Sequence, residues 1–300
     1  MTHRSDSSTP SAVLTDHRVA HIGLLVADLE RARERWSIAT GSPFSPIFRY
    51  HMPGWTDFRQ RKPHAVDLRQ SISFNTDPWI QLIEFAPNGT HGAARGEGGH
   101  HLGFPPRDGL VRRAELERLG LPIEGGLLLD GRWLIQFTDV EMLEGVATEW
   151  VEASPHHQNM KDDGSPLDAL PDGTPSPFPA HLFDSCGGAR PWSGIVELGI
   201  TAADVAAAVP RWASVVDDSF DVDEAGVAVS RATVPALRLL PLDADATRRG
   251  FVSATIRVDN LERTRLHLER ERVPFEAGGP AWMAVRSGYL DGFTIRFTSD

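Results

Sequence analysis

A phrase of eight residues that occurs four times constrains the fold of this chain more than any other feature. It opens as His21-Ile-Gly-Leu-Leu-Val-Ala-Asp28, returns as His101-Leu-Gly-Phe-Pro-Pro-Arg-Asp108 and Glu197-Leu-Gly-Ile-Thr-Ala-Ala-Asp204, and closes in weaker form as Ser253-Ala-Thr-Ile-Arg-Val-Asp-Asn260. Each copy is a short apolar run ending at Asp or Asn, whose side-chain oxygen suits the first turn of a helix. The first and last copies run on as Leu29-Glu30-Arg31 and Leu261-Glu262-Arg263. One βα unit used four times is the expected architecture. The residue that opens the phrase changes from His and His to Glu and Ser, and that change bears on function.

Behind each phrase a helical segment is expected, as over Leu29 to Ile38 and Val111 to Leu119, and then short apolar runs separated by Gly, Pro and Asp. These runs cover 70–74 and 79–85 in the first unit, and 127–129, 133–137 and 147–152 in the second. The third offers 226–230 and 236–240, the fourth 282–286 and 293–297. Four βαβββ units make an α+β chain. Residues 43–69 hold Phe44, Phe48, Tyr50, Trp55 and Phe58 among prolines and basic residues. They read as a loop, with Phe48, Tyr50, His51 and Trp55 as candidates to line a pocket and His51 or His64 as a proton shuttle. Residues 154–192, rich in Pro, Gly, Asp and His (including His156 and His157), read as a linker. The expected organisation is a loose tail over 1–16, a two-unit domain over 17–153, the linker over 154–192 and a second two-unit domain over 193–300.

With 300 residues and 41% apolar composition the chain has room for two cores. Its net charge of −11 argues against nucleic acid or an anionic membrane surface, since both are held by clustered Lys and Arg. A small molecule is the expected partner. Cys186 is the single cysteine, which excludes an intramolecular disulfide and fits a reducing compartment. No apolar run approaches the ~20 residues of a membrane helix. The expectation is a cytoplasmic protein, monomer or homodimer.

The repeats also align candidate ligands. Side chains alternate between the faces of a strand, so His21 and His101 hold equivalent places. The last strands of units one and two align Ile80-Gln81-Leu-Ile-Glu84-Phe-Ala-Pro87 with Thr148-Glu149-Trp-Val-Glu152-Ala-Ser-Pro155, which makes Gln81 and Glu149 equivalent. Glu84 and Glu152, three residues on, face the other way, and the repeat register favours His101 over His100. If units one and two share a cup, His21, Gln81, His101 and Glu149 converge. Two imidazoles, an amide oxygen and a carboxylate form a set suited to one divalent ion such as Mn, Co, Ni, Fe or Zn. Positions left open on an octahedral ion would admit water or a chelating substrate. The same positions in units three and four read Glu197, Arg238, Ser253 and Arg296. Guanidinium has no lone pair to offer a cation, so this degenerate site is expected to be metal-free, with Glu197 paired to Arg238 or Arg296.

Tandem βαβββ units, with His opening the first strand and Gln or Glu in the last, resemble the vicinal oxygen chelate superfamily. That group includes glyoxalase I, methylmalonyl-CoA epimerase, extradiol dioxygenases and bleomycin-resistance proteins. The His, Gln, His, Glu order within residues 19–153 is most similar to methylmalonyl-CoA epimerase, and Gly145-Val-Ala-Thr-Glu149 resembles that family's final ligand strand. Residues 193–300 resemble the superfamily as fold only. The resemblance implies two tandem glyoxalase-like domains with curved mixed sheets, and a metal that stabilises an enolate-like intermediate of a small carbonyl substrate. Glu149 would then serve as ligand and proton acceptor in an epimerase, isomerase or lyase. It admits two alternatives. One is a ligand-sequestering protein, which has no need of four ligand-type residues. The other is a ring-cleaving dioxygenase, which uses a His, His, Glu triad on Fe(II) and against which Gln81 as a further ligand counts.

Overall fold

The computed structural model of the chain describes residues 18–57, 64–107, 109–129, 131–152, 185–186, 192, 194–242 and 249–299. The tail over 1–16, Phe58, Asp108, and most of the linker including His156 and His157 lie outside them. The first half runs β1 (His21–Val26), α1 (Leu29–Thr40), β2 (Phe48–Asp57), β3 (His64–Ser73), β4 (Trp79–Glu84), β5 (Gly98–Arg107), α2 (Gly109–Arg118), β6 (Ile123–Leu129), β7 (Arg132–Thr138) and β8 (Ala147–Glu152). The second half runs β9 (Gly194–Ala202), α3 (Val205–Val216), β10 (Phe220–Val222), β11 (Ala228–Ser230), β12 (Ala236–Pro241), β13 (Gly250–Arg257), α4 (Leu261–Arg270), β14 (Phe275–Ala277), β15 (Trp282–Val285) and β16 (Thr294–Thr298). The four phrases are thus β1, β5, β9 and β13. Asp28, Asp204 and Asn260 cap the following helices by accepting the backbone N–H of Arg31, Ala207 and Arg263 at 2.9, 3.0 and 2.9 Å.

The chain is α+β with two curved mixed sheets. The first closes as a barrel in the order β1-β4-β3-β2-β6-β7-β8-β5, so units one and two share one enclosure. Closure comes from β2 against β6, with Trp55 opposite Leu127 and Asp57 opposite Gly125. The second sheet keeps the same order, β10-β11-β12-β9-β13-β16-β15-β14, but stays open. Its outer strands β10 and β14 have three residues each, where β2 has ten and β6 seven. Strands that short cannot reach across the mouth.

The expected loop over 43–69 is corrected by this closure, because most of it is β2 and β3. Pro53 and Gly54 sit at an irregularity of β2 between Met52 and Trp55. There a Cβ on Gly54 would run into the carbonyl of Leu128, so glycine permits the close approach of the two backbones. The first unit therefore has its full three later strands.

Alternation along the strands divides the apolar residues into two layers. Ile22, Leu24 and Val26 of β1 face the helices and join Trp36, Leu102 and Phe104 in a core that continues through Leu198, Ile200, Trp212 and Phe297 of the second half. Leu25, Met52, Trp55, Leu68, Ile83, Leu127, Ile135 and Phe137 face the barrel interior. Trp36 and Trp212 stand eight residues after equivalent caps, and both are fully buried. The halves are also tied by polar contacts, with Arg211 on Glu144 at 2.8 Å and His267 Nε2 donating to the Ile38 carbonyl at 2.7 Å. Of the linker, Trp192 donates from Nε1 to the Thr40 carbonyl at 3.0 Å, and Cys186 is buried with its thiol directed to the Ile72 carbonyl. Burial pushes that thiol's pKa up, which leaves it a poor nucleophile.

Candidate metal centre

The antiparallel register of β1 and β5 sets His21 opposite Gly103 and Gly23 opposite His101. Glycine is required at both places: a Cβ on Gly23 would collide with the His101 ring, and one on Gly103 with the His21 ring. The third residue of the phrase is the space into which the other repeat's ligand folds. On the outer flanks the parallel pairs place Gln81 of β4 opposite Gly23 and Glu149 of β8 opposite Gly103. Gln81 and Glu149 are therefore equivalent by pairing, as the repeat alignment expects.

Three of the four side chains meet. His21 Nε2 lies 2.7 Å from Glu149 Oε2 and 3.1 Å from His101 Nε2, and His101 Nε2 lies 3.1 Å from the same carboxylate oxygen. These three form a group of potential metal ligands at the barrel wall. Lone-pair atoms this close repel one another unless protons or a cation lie between them. Ligand atoms about 2.1 Å from one ion lie about 3.0 Å apart when adjacent on an octahedron and about 3.4 Å apart on a tetrahedron. The observed spacings fit one octahedral face. The electrostatics agree: burial would raise the pKa of Glu149, but His21 and His101 outweigh it and hold the carboxyl well below its usual range. Burial holds His101 below the usual imidazole range, so its ring favours the neutral form that a metal needs.

Gln81 stands beside the triad without joining it. Its Nε2 donates to Gln70 Oε1 at 2.5 Å, while Gln81 Oε1 and Gln70 Nε2 are buried without a hydrogen-bond partner among the described residues. An orphaned amide oxygen at that position is compatible with a fourth ligand or with a bound molecule. Glu84 faces outward, as expected, accepting both hydrogen bonds from Arg69 at 2.7 Å.

Among the candidate pocket residues, Tyr50 joins the interior apolar layer, and burial, then the charge of Glu149, raise its phenol pKa. Phe48 packs with Ile72, Phe74, Trp79 and Cys186 at one end of the barrel. Trp55 stands in the interior cluster of the barrel. It is buried, with its ring 5.6 Å from His91 and 5.7 Å from Phe137. His51 lies outside the site: it is exposed and bonded through Nδ1 to Asp67 at 2.7 Å, because its neighbours Tyr50 and Met52 take the inward face. Sequence reasoning missed Gln70 and His91, and weighed His100 only as a rival ligand to His101. Gln70 follows the alternation Val66, Leu68, Gln70, Ile72 and could have been found by extending β3 toward its N-terminus. Burial holds His91 down to about 3 and His100 well below the usual imidazole range, so both are neutral.

In the second sheet the equivalent positions are occupied by Glu197, Arg238, Ser253 and Arg296, with Arg238 opposite Gly199 and Arg296 opposite Thr255. Arg238 Nη1 lies 3.4 Å from Glu197 Oε2, which also accepts from the Thr255 hydroxyl at 3.2 Å. Arg296 instead lies over the Trp282 ring at 4.3 Å. Ser253 fills the space over Gly199, as His101 does over Gly23.

No protein-family model and no curated protein matches the sequence. Solved structures do match its fold. A triple mutant of 4-hydroxymandelate synthase from Streptomyces coelicolor aligns with a TM-score of 0.61 at 12% identity, over 94% of this chain and 92% of that one. A hypothetical protein from Staphylococcus aureus aligns at 0.53 and 9% identity, over 93% and 98%, and a catechol 2,3-dioxygenase at 0.53 and 12%, over 95% and 88%. At such identities the likeness shows a shared fold.

Proposed function

From that shared fold and the triad within it, we propose that the chain is a metal-dependent enzyme of the vicinal oxygen chelate superfamily. It acts in the manner of an oxygenase on a small molecule that offers two neighbouring oxygen atoms. The observation that carries this reading is the convergence of two imidazole nitrogens and one carboxylate oxygen within 3.1 Å of one another, a donor set that matches the triad of non-haem Fe(II) oxygenases, with Gln81 turned to Gln70. The name of one structural neighbour, a catechol 2,3-dioxygenase, points in the same direction. A divalent ion on this triad supplies a Lewis acid with open positions and, as Fe(II), the capacity to engage dioxygen.

The remaining work falls to the chain. His21, His101 and Glu149 would hold the ion, and the single carboxylate would offset part of its charge. Tyr50, kept protonated by burial and by Glu149, stands in the same interior. Gln70 Nε2, buried and without a hydrogen-bond partner among the described residues, offers a hydrogen-bond donor to an oxygen of the bound molecule. Leu68, Met52 and Ile83 line the same interior and exclude water. The test is anaerobic reconstitution with Fe(II), then oxygen consumption against a panel of 2-oxo acids and catechols. Oxygen uptake that depends on one substrate class and is lost in Glu149→Gln supports the oxygenase.

The epimerase, isomerase or lyase reading has one observation in its favour, the unpartnered oxygen of Gln81, which would complete a four-ligand set. Metal binding without oxygen uptake, but with solvent deuterium entering a carbonyl acid, would replace the oxygenase by that chemistry.

A further inference from the structure

We propose that His100 is a positioning residue for His101, fixing by a chain of hydrogen bonds which ring nitrogen of His101 faces the metal as a lone pair. This inference rests on the reading of the triad as a metal centre. Strict alternation would send His100 to the opposite face from His101. A bulge prevents it: Gly23 pairs with His101 and Leu24 with Gly99, which leaves His100 as the extra residue and turns its ring into the barrel. There His100 Nε2 lies 2.9 Å from the Thr90 carbonyl and its Nδ1 lies 2.9 Å from His101 Nδ1. A carbonyl only accepts, so the proton of the His100 ring is on Nε2 and its Nδ1 is an acceptor. His101 must then donate from Nδ1, which leaves the lone pair on Nε2, the atom that faces His21 and Glu149.

The anchor of this chain is itself held. Thr90 sits in a single 3-10 turn, and its N–H donates to Asp57 Oδ2 at 3.2 Å, at the end of the strand that closes the barrel. The comparison within the molecule separates a device of the fold from a device of the site. The second sheet has the same bulge, with Gly199 opposite Ser253 and Ile200 opposite Phe251, and the extra residue there is Val252. The irregularity therefore belongs to the architecture, and an imidazole occupies it only where the ligand-type residues are.

The test combines cobalt(II) titration, read by its visible absorption, with nitrogen-detected NMR of the histidine rings in the metal-free protein. His100→Leu removes the acceptor and is expected to weaken cobalt binding about 10- to 100-fold, whereas His100→Gln, which can accept from His101 and donate to Thr90, stays within a few-fold of wild type. The wild-type spectrum is expected to show a proton on His101 Nδ1 and none on His100 Nδ1, a result that does not depend on any variant folding. Cobalt binding by His100→Leu equal to wild type, or a proton on His100 Nδ1, would overturn the inference and leave the metal centre standing. Wild-type protein that takes up no cobalt would overturn the metal centre and this inference with it.

Discussion

Gly23 and Gly103 are as necessary to the site as the histidines they face. Adding one methyl group at either position displaces the opposing imidazole, so Gly23→Ala is expected to abolish metal binding as fully as His101→Ala, and overpacking lowers stability by about 1–3 kcal/mol. Metal stoichiometry together with a thermal melt checks both effects. In the metal-free protein, the buried rings of His91, His100 and His101 have pKa values below the ordinary imidazole value of 6.5. The unfolded chain therefore binds more protons than the folded one as pH falls below about 6.5, and each ring costs up to about 1.4 kcal/mol of stability per pH unit until its folded pKa is reached. The stability from Glu149, whose folded pKa is lowered, is present above about 4.5 and lost below. The melting temperature of metal-free protein should drop from pH 7 to pH 5, and the drop should shrink in His91→Phe. A flat profile over that window would contradict the burial of these rings. At this scale His21, His101 and Glu149 were legible because a repeat turns four separate guesses into one pattern. His100 reads in the sequence only as a rival ligand to His101, because a bulge breaks the alternation that would place its ring.

Among the elements, β2 decides whether the first sheet is a barrel. Trp55 is its anchor, and Trp55→Ala is expected to cost about 3–5 kcal/mol, with β2 to β6 hydrogen exchange accelerated more than exchange in β9 to β13. Loss of an end cap is milder: Asp28→Ala should cost about 1 kcal/mol, measured by urea denaturation. The four opening strands and the caps Asp28, Asp204 and Asn260 could be read directly, since apolar runs ending at Asp or Asn carry both the strand and the helix start. β2 could not. Its Pro53-Gly54 pair speaks locally for a turn, and only the nearby carbonyl of Leu128 explains why glycine stands inside a strand. β10 and β14 were equally hidden, because three residues are too few for any periodicity to register.

The whole molecule is one architecture used twice with opposite electrostatics. The closed barrel gathers two imidazoles and a carboxylate, whereas the open sheet places an Arg–Glu pair and an Arg–Trp stack at the same positions. One divalent ion is expected to bind per chain, in the barrel and not on the open sheet. The most direct test is elemental analysis after reconstitution with Fe(II), Mn, Co, Ni or Zn, comparing wild type with His101→Ala and Glu197→Gln. One equivalent in wild type, lost in His101→Ala and kept in Glu197→Gln, is the predicted result. No metal in wild type, or a full equivalent retained by His101→Ala, would contradict it.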